Sequence, residues 1–172
     1  MQINSSHLLL DACCTLNLCA SGQFLAILQS LPVQVAIVQE VEQELKRIEN
    51  IEQFEQAIEQ SLLIIVNFES EAEAETFVNY AATLDDGEAA TGAIAFHREW
   101  SMATDEKKAI NFFAQETSKL QILSTLAIIK FWSESEQIES QVLRDILNAV
   151  RVKGSYVPHN QHSLKPWWDE NS

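Results

Sequence analysis

The sequence predicts an α/β fold in which helices cover a central, mostly parallel sheet. Short unbroken apolar runs alternate along the chain with segments of helical periodicity. Such runs are typical of strands buried on both faces, and their alternation with helices favours a parallel sheet. A length of 172 residues suits one domain, and with 4 glycines and 3 prolines the chain is not of low complexity.

The first two predicted strands enclose a helical region. His7 to Leu10 (HLLL) is a short apolar run, and Val33 to Val38 (VQVAIV) is rich in β-branched residues. Between them, Ala12 to Ala20 is compact and apolar, and Phe24 to Leu31 has amphipathic helical spacing that stops before Pro32. These segments predict strand, helix, helix and strand in that order.

Helical periodicity dominates the middle of the chain. Apolar residues recur every three or four positions from Val41 to Ile58, which predicts one long amphipathic helix or two in tandem. Leu62 to Val66 (LLIIV) predicts a third buried strand. Ser70 can cap a helix that continues to Ala82, and the acidic start of that helix (EAEAE) suits the positive end of its dipole.

The second half of the chain continues the alternation and ends in a different kind of segment. Two short apolar runs predict strands, and they are separated by segments of helical character. The predicted elements are a helix Glu88–Trp100, a strand Ser101–Thr104, a helix Glu106–Glu116, a strand Leu120–Leu123, a helix Thr125–Trp132 capped by Ser124, a helix Glu136–Val150 and an irregular tail Arg151–Ser172.

Composition constrains the partners and the compartment. With 11 Lys and Arg against 25 Asp and Glu, the net charge of −14 argues against nonspecific coating of nucleic acid. A metal site that gathers carboxylates remains compatible, because a bound cation reverses the local sign. Cys13, Cys14 and Cys19 form no CxxC pair, which favours buried reduced thiols over zinc or disulfides. Reduced thiols, the absence of a basic signal region and the absence of a membrane-length apolar run predict a cytoplasmic protein.

Two aspartates directly follow predicted strands. Asp11 comes after HLLL and Asp105 comes after SMAT, each before a predicted helix. Ligands of open α/β sheets bind just outside the carboxyl ends of the strands, so both residues are candidates for a site. Capping of the following helix is an alternative role for each. Glu106 is a further candidate beside Asp105.

Other candidate carboxylates come from predicted helices. Asp86 and Glu88 lie on either side of a glycine at a helix start, where Asp86 is the expected N-cap and Glu88 points inward. Glu44 lies beside the apolar stripe of its helix, with Glu40 and Glu42 as alternatives. Carboxylates that converge repel one another, and Mg²⁺ or Mn²⁺ relieves this repulsion because these ions prefer oxygen ligands. Such a cation also promotes phosphodiester hydrolysis.

Four sequence blocks place these acids in a characteristic order. The blocks are LLLDACCTLNL, VQVAIVQEVEQEL, LDDGEAATGAIA and MATDEKKA, followed by LQILSTLAIIKFW. In this order they resemble the PIN-domain nucleases, which include the toxin ribonucleases of bacterial toxin–antitoxin pairs. The blocks span Leu8 to Trp132. The resemblance implies a three-layer α/β/α fold, with residues 1–132 as the nuclease domain. Residues 133–172 lie outside the resemblance and are expected to form a C-terminal helix and an irregular tail packed on the same domain.

The resemblance also implies a mechanism and partners. It implies Mg²⁺- or Mn²⁺-dependent cleavage of RNA and, as for the toxin members of the family, an antitoxin protein as partner. A homodimer is a separate expectation. The implied catalytic and metal-binding residues are Asp11, Glu44, Glu88 and Asp105, with Asp86 as a further metal ligand. Thr104 is placed to orient a ligand through a hydrogen bond.

The sequence leaves an alternative function open. Ala12 and Cys13 stand where the family often has Thr or Ser and then a small polar residue. This departure and the acidic net charge favour a weakly active or inactive PIN-like module that binds nucleic acid or protein. For either function, the candidate RNA contacts are Arg144, Arg151, Lys153 and Lys165, with Trp167 and Trp168 available either for base stacking or for packing on the body.

Overall fold

Five parallel strands form the central sheet of the protein, which a computed structural model describes over residues 2–47 and 52–172. The strands are β1 (His7–Leu10), β2 (Gln34–Val38), β3 (Leu63–Val66), β4 (Ser101–Ala103) and β5 (Ile122–Leu123). Their order across the sheet is β3-β2-β1-β4-β5. Leu8 pairs with Val35 on one side and with Ser101 on the other, so β1 lies at the centre.

Helices connect the strands and follow the last one. They are α1 (Ala12–Ala20), α2 (Phe24–Ser30), α3 (Gln39–Leu45), α4 (Glu52–Glu59), α5 (Glu71–Ala81), α6 (Asp86–Arg98), α7 (Lys107–Glu116), α8 (Thr125–Ser135), α9 (Ser140–Lys153) and α10 (Lys165–Asn171). Within the described ranges, no single helix is long and apolar enough to cross a membrane. The pair α1 and α2 meets that test by length and composition only when joined, and the two helices are bent by 113°.

The helices form layers on the two faces of the sheet. In one layer α6 packs on β1, β2 and β4, and α5 packs on α6. In the other layer α1 contacts α2, α8 and α9, and α10 packs on α9. Leu8, Leu9 and Leu10 are all 0% exposed, as expected for a strand covered on both faces. The predicted three-layer α/β/α fold with a parallel sheet is therefore confirmed.

The chain reverses its direction across the sheet between β1 and β4. From β1 it proceeds outward through β2 to β3, and it then returns to the other side of β1 with β4 and β5. Such a switch point leaves a crevice at the carboxyl ends of the two central strands. Asp11 and Asp105 follow those two strands, so the topology brings both to this crevice.

Close packing in the first layer depends on a glycine of α6. A Cβ atom added at Gly92 would lie 2.1 Å from Cζ of Phe113, which belongs to α7. Phe113 is fully buried, so its ring has little room to move away. Gly92 therefore allows α7 to approach α6.

The structure selects one of two predicted arrangements in the middle of the chain and departs from the predictions in two C-terminal segments. Of the two readings for 41–58, the structure has separate helices α3 and α4, while positions 48–51 of that prediction lie outside the described residues. The helix predicted over 136–150 begins later and extends to Lys153. The prediction of an irregular tail was wrong for α10, which has Pro166 in its first turn and buries Trp168 against the body.

Candidate functional site

Asp11 lies at the carboxyl end of β1 and begins α1. Its backbone N–H donates to the Ala103 carbonyl over 3.1 Å, which extends the pairing of β1 with β4. Its Oδ1 accepts a hydrogen bond of 2.6 Å from the backbone N–H of Cys14, so the side chain caps α1. Asp11 is only 3% exposed. The predicted capping role is thus confirmed, at a position on the edge of the crevice.

Two linked carboxylates begin α6. Asp85 is the N-cap, since its Oδ1 accepts from the backbone N–H of Glu88 at 2.8 Å. In return, Oε2 of Glu88 accepts from the backbone N–H of Asp85 at 3.4 Å, which completes a capping box. The prediction of Asp86 as the N-cap was wrong by one residue, because Asp86 is the first residue of the helix. The Asp-x-x-Glu spacing was the signal that identifies Asp85.

A cavity of about 120 Å³ opens where these elements meet. Three of the predicted catalytic carboxylates line it, namely Asp11, Glu44 and Glu88. Sequence reasoning did not select Asp85, which also lines it, and treated Glu106 only as an alternative. The complete lining is Asp11, Ala12, Cys13, Glu44, Asp85, Gly87, Glu88 and Glu106. The helices α3 and α6 pack closely at Gly87, where a Cβ atom would lie 3.2 Å from Cγ2 of Val41. The same atom would be in ordinary contact with Oε2 of Glu44, at 3.6 Å.

The environment of Asp11 disfavours its charged form. Burial removes the carboxylate from water and raises its pKa from the ordinary value of 3.8 to about 7. The negative charge of Asp105 contributes to the same rise in pKa. The hydrogen bond from the backbone N–H of Cys14 opposes this rise in pKa. Oγ1 of Thr104 accepts from the backbone N–H of Glu106 at 3.1 Å, so its role in orienting a ligand stays a prediction.

Two glutamates of the cavity are affected in the same direction. The pKa of Glu44 and that of Glu88 are both raised, first by partial burial and then by the negative charge of Asp85. Arg47 partly offsets the effect at Glu44, and Lys108 partly offsets it at Glu88. At both glutamates the charge of Asp85 thus adds to the effect of burial, and the nearby cations offset it only in part.

Asp105 follows β4 as predicted, but its carboxylate does not line the cavity. Its Oδ1 accepts hydrogen bonds from the backbone N–H of Thr125 at 3.1 Å and from the Tyr156 hydroxyl at 3.3 Å. Its Oδ2 accepts from Nδ2 of Asn17 at 3.4 Å. These contacts hold the side chain against α1, the start of α8 and the segment that follows α9, close enough to Asp11 for its charge to act on that carboxyl group.

Asp86 and Glu106 lie at the margins of the site. Asp86 lines a neighbouring groove, which shares Glu44 and Asp85 with the cavity, but it does not line the cavity itself. Glu106 lines the cavity and also caps α7, since its Oε1 accepts from the backbone N–H of Lys108 at 3.5 Å. The predicted capping role of Asp105 thus belongs to its neighbour.

The aromatic residues of α10 pack against the body of the protein. Trp168 is 1% exposed and packs edge to face on Tyr156, with Arg151 lying 5.5 Å from its ring centre. Lys130 lies 5.5 Å from the ring centre of Trp167. Of the two roles considered for this pair, Trp168 has the packing role, because a buried ring cannot stack on a base.

The donor set suits a hard divalent cation. Carboxylate oxygens are the ligands that Mg²⁺ and Mn²⁺ prefer, and none of the residues lining the cavity is basic. Across residues 2–47 and 52–172, no three His, Cys, Asp or Glu side chains lie close enough together, as they stand, to hold an ion. Glu44 and Glu106 are exposed, so a change of rotamer can bring their oxygens inward.

Comparison with known proteins identifies the family of the chain. A protein-family model described as a PIN domain matches residues 8–164. The match covers all the acidic blocks and continues past Trp132 into the C-terminal region. No curated protein sequence matches the chain. The chain therefore belongs to the PIN-domain family, whose members are generally nucleases.

Proposed function

We propose that the protein is a divalent-metal-dependent ribonuclease that hydrolyses phosphodiester bonds at the acidic cavity. The observation that carries this proposal is the convergence of Asp11, Glu44 and Glu88 on one cavity at the switch point of the sheet. These residues belong to segments far apart in the sequence. Membership of the PIN-domain family supports nuclease chemistry and the use of a divalent ion.

The cavity residues would contribute in different ways. When bound, Mg²⁺ or Mn²⁺ stabilises negative charge on the phosphate and lowers the pKa of a nearby water. Asp11 is the fixed ligand, because it is buried and held by the backbone of Cys14. Glu88 is oriented by the backbone N–H of Asp85. Glu44 lies at an exposed position of α3, from which a change of rotamer would bring its carboxylate to the ion.

Asp105 and Asp86 contribute from outside the cavity lining. The charge of Asp105 acts on Asp11, as the raised pKa of Asp11 indicates. Asp86 faces the adjoining groove, which also contains Arg47, a cationic side chain for a substrate phosphate. In this proposal both residues belong to the site, and Asp11, Glu44 and Glu88 form its centre.

Cleavage of RNA tests the proposal directly. Rates are measured with Mn²⁺ and with Mg²⁺ for the wild type, Asp11→Asn and Glu88→Gln. We expect each variant to lose about 100-fold or more in rate, because each loses a ligand charge. Glu59→Gln is the matched control, since Glu59 is an exposed acid at the end of α4, away from the cavity. Equal rates for the wild type and Asp11→Asn would remove this function.

A noncatalytic binding module is the second candidate function. Ala12 and Cys13 line the cavity next to Asp11 and offer no hydroxyl to support it. Titration with Mn²⁺ by calorimetry, together with the cleavage assay, discriminates between the two functions. A ribonuclease binds Mn²⁺ and cleaves RNA, whereas a binding module binds RNA or protein without cleaving RNA.

We also propose the partners and the compartment that the sequence led us to expect. The protein acts on RNA in the cytoplasm, forms a homodimer and pairs with an antitoxin. The net charge of −14 favours a basic segment on that antitoxin. Light scattering of the purified protein tests the dimer. Growth arrest on expression of the wild type, but not of Asp11→Asn, tests the toxin role.

A further inference from the structure

The carboxylate of Asp105 joins the candidate site to the C-terminal segment of the chain. It accepts the backbone N–H of Thr125 at the start of α8, the side-chain amide of Asn17 in α1 and the hydroxyl of Tyr156. Sγ of Cys14 lies 3.6 Å from its Oδ2. Asp105 is thus held by donors from three separate parts of the chain, and Tyr156 is the one that follows α9.

Tyr156 is itself held firmly in place. It packs edge to face on the buried ring of Trp168, with 6.1 Å between ring centres. The turn before it lies against α1, since a Cβ atom at Gly154 would be 2.8 Å from Oδ1 of Asn17 and 2.7 Å from the Val150 carbonyl. Only glycine permits this approach. The C-terminal segment therefore presents the Tyr156 hydroxyl to Asp105 from a fixed position.

We propose that Tyr156 is a positioning residue of the candidate site, and that the segment from Gly154 to Trp168 is part of the nuclease machinery. Its hydroxyl holds the charge of Asp105 close to Asp11, where that charge attracts a cation to the cavity. Without the hydroxyl, Asp105 loses a donor and gains rotamer freedom, so cation binding weakens. This inference rests on the proposed metal-dependent function.

Manganese binding by Tyr156→Phe provides the test. Calorimetric titration and the Mn²⁺ dependence of RNA cleavage are measured side by side with the wild type. We expect the half-saturating Mn²⁺ concentration to rise about 10-fold, as is common when a partner of a metal-site carboxylate is removed. The cleavage rate at saturating Mn²⁺ should return close to that of the wild type. Loss of packing alone would not produce this rescue by metal.

The other tyrosine of the chain provides a matched control. Tyr80 belongs to α5 and packs on Phe112 and Phe113 in the opposite layer. Tyr80→Phe removes the same hydroxyl group from a position that does not face Asp105. Its Mn²⁺ titration should match that of the wild type, even where its melting temperature changes as much as that of Tyr156→Phe.

A double-mutant cycle shows whether Tyr156 acts through Asp105. In the Asp105→Asn background, Tyr156→Phe should have little further effect on Mn²⁺ binding. Equal effects in both backgrounds, or an unshifted titration for Tyr156→Phe, would overturn the inference while wild-type binding stands. Absence of Mn²⁺ binding by the wild type would instead overturn the proposed function, and this inference with it.

Discussion

Acidic side chains cluster at both ends of α6, but the two clusters differ in how their negative charge is compensated. At the N-terminal end, Glu88 faces Asp11 across a cavity whose lining contains no basic residue. At the C-terminal end, Arg98 donates from Nε to Oε1 of Glu73 at 2.7 Å and from Nη2 to Oε2 at 3.1 Å. Nη2 of Arg98 also donates to the Asn67 carbonyl at 2.6 Å.

The pKa values follow this difference. The pKa of Asp11 and that of Glu88 are raised, chiefly by burial, whereas Arg98 lowers the pKa of Glu73. Because Arg98 of α6 pairs with Glu73 of α5, the cluster that contains its own cation joins these two helices. A cluster that lacks one favours a cation from outside, and perturbed carboxyl groups in a cleft are typical of functional sites. A structural acid cluster and a candidate functional one thus lie at opposite ends of the same helix.

Removing the internal cation should produce the largest loss of stability. Arg98→Met leaves Glu73 buried, at 3% exposure, without a partner. We expect the free energy of unfolding to fall by about 3–5 kcal/mol, as when one partner of a buried pair is removed. Urea denaturation measures it. Lys46→Met is the control, because Lys46 is 64% exposed and its pair with Glu42 should contribute at most about 1 kcal/mol. Similar losses in the two variants would contradict the comparison.

The cluster at the N-terminal end of α6 predicts a stability that falls as pH rises, which is opposite to the effect of Glu73 at the other end. Between pH 3.8 and about 7, the folded protein keeps a proton on Asp11 that the unfolded chain has released. The free energy of unfolding of the metal-free protein should therefore fall as pH rises through this window, by roughly 2–4 kcal/mol. The lowered pKa of Glu73 acts the other way, since its contribution is present above its ordinary pKa and is lost as pH falls through the lower folded value.

Asp11→Asn isolates this dependence. Asparagine retains the capping of α1 but cannot ionise, so the difference between wild type and variant gives the contribution of Asp11 alone. Mn²⁺ should reduce the decline in the wild type and leave the variant unaffected. A wild-type stability profile parallel to that of Asp11→Asn over this pH range would show that the buried charge has no cost.

Of the changes considered at the two ends and the middle of α6, a substitution in the middle should cause the smallest loss of stability. Gly92→Ala places a methyl group 2.1 Å from the buried Phe113 ring, so we expect a loss of about 1–3 kcal/mol from overpacking. Thermal or urea unfolding measures it. Phe113→Leu in the Gly92→Ala background should cost less than the sum of the single changes, because the two side chains share one space. Strict additivity would contradict the packing argument.

Much of the site could be predicted because strand ends and helix starts have local signals. Asp11 follows an apolar run that is typical of a strand buried on both faces. Ligands of parallel sheets bind at the carboxyl ends of the strands, which is where Asp11 lies. Asp85 was missed although its Asp-x-x-Glu spacing with Glu88 was visible, because the adjacent Asp86 offered a competing cap. The helix α10 was missed because its stability depends on burying Trp168 rather than on helix-favouring residues.

Local chemistry along the chain was sufficient to predict strands, the helices that cover them and most of the acids near the crevice, because periodicity and capping act over a few residues. The direction of each carboxylate depended on contacts made across the molecule. Asp105 was placed correctly at a strand end, yet hydrogen bonds from Thr125, Asn17 and Tyr156 keep it out of the cavity lining. Those donors lie between 20 and 88 residues away, so only the packed chain brings them to it.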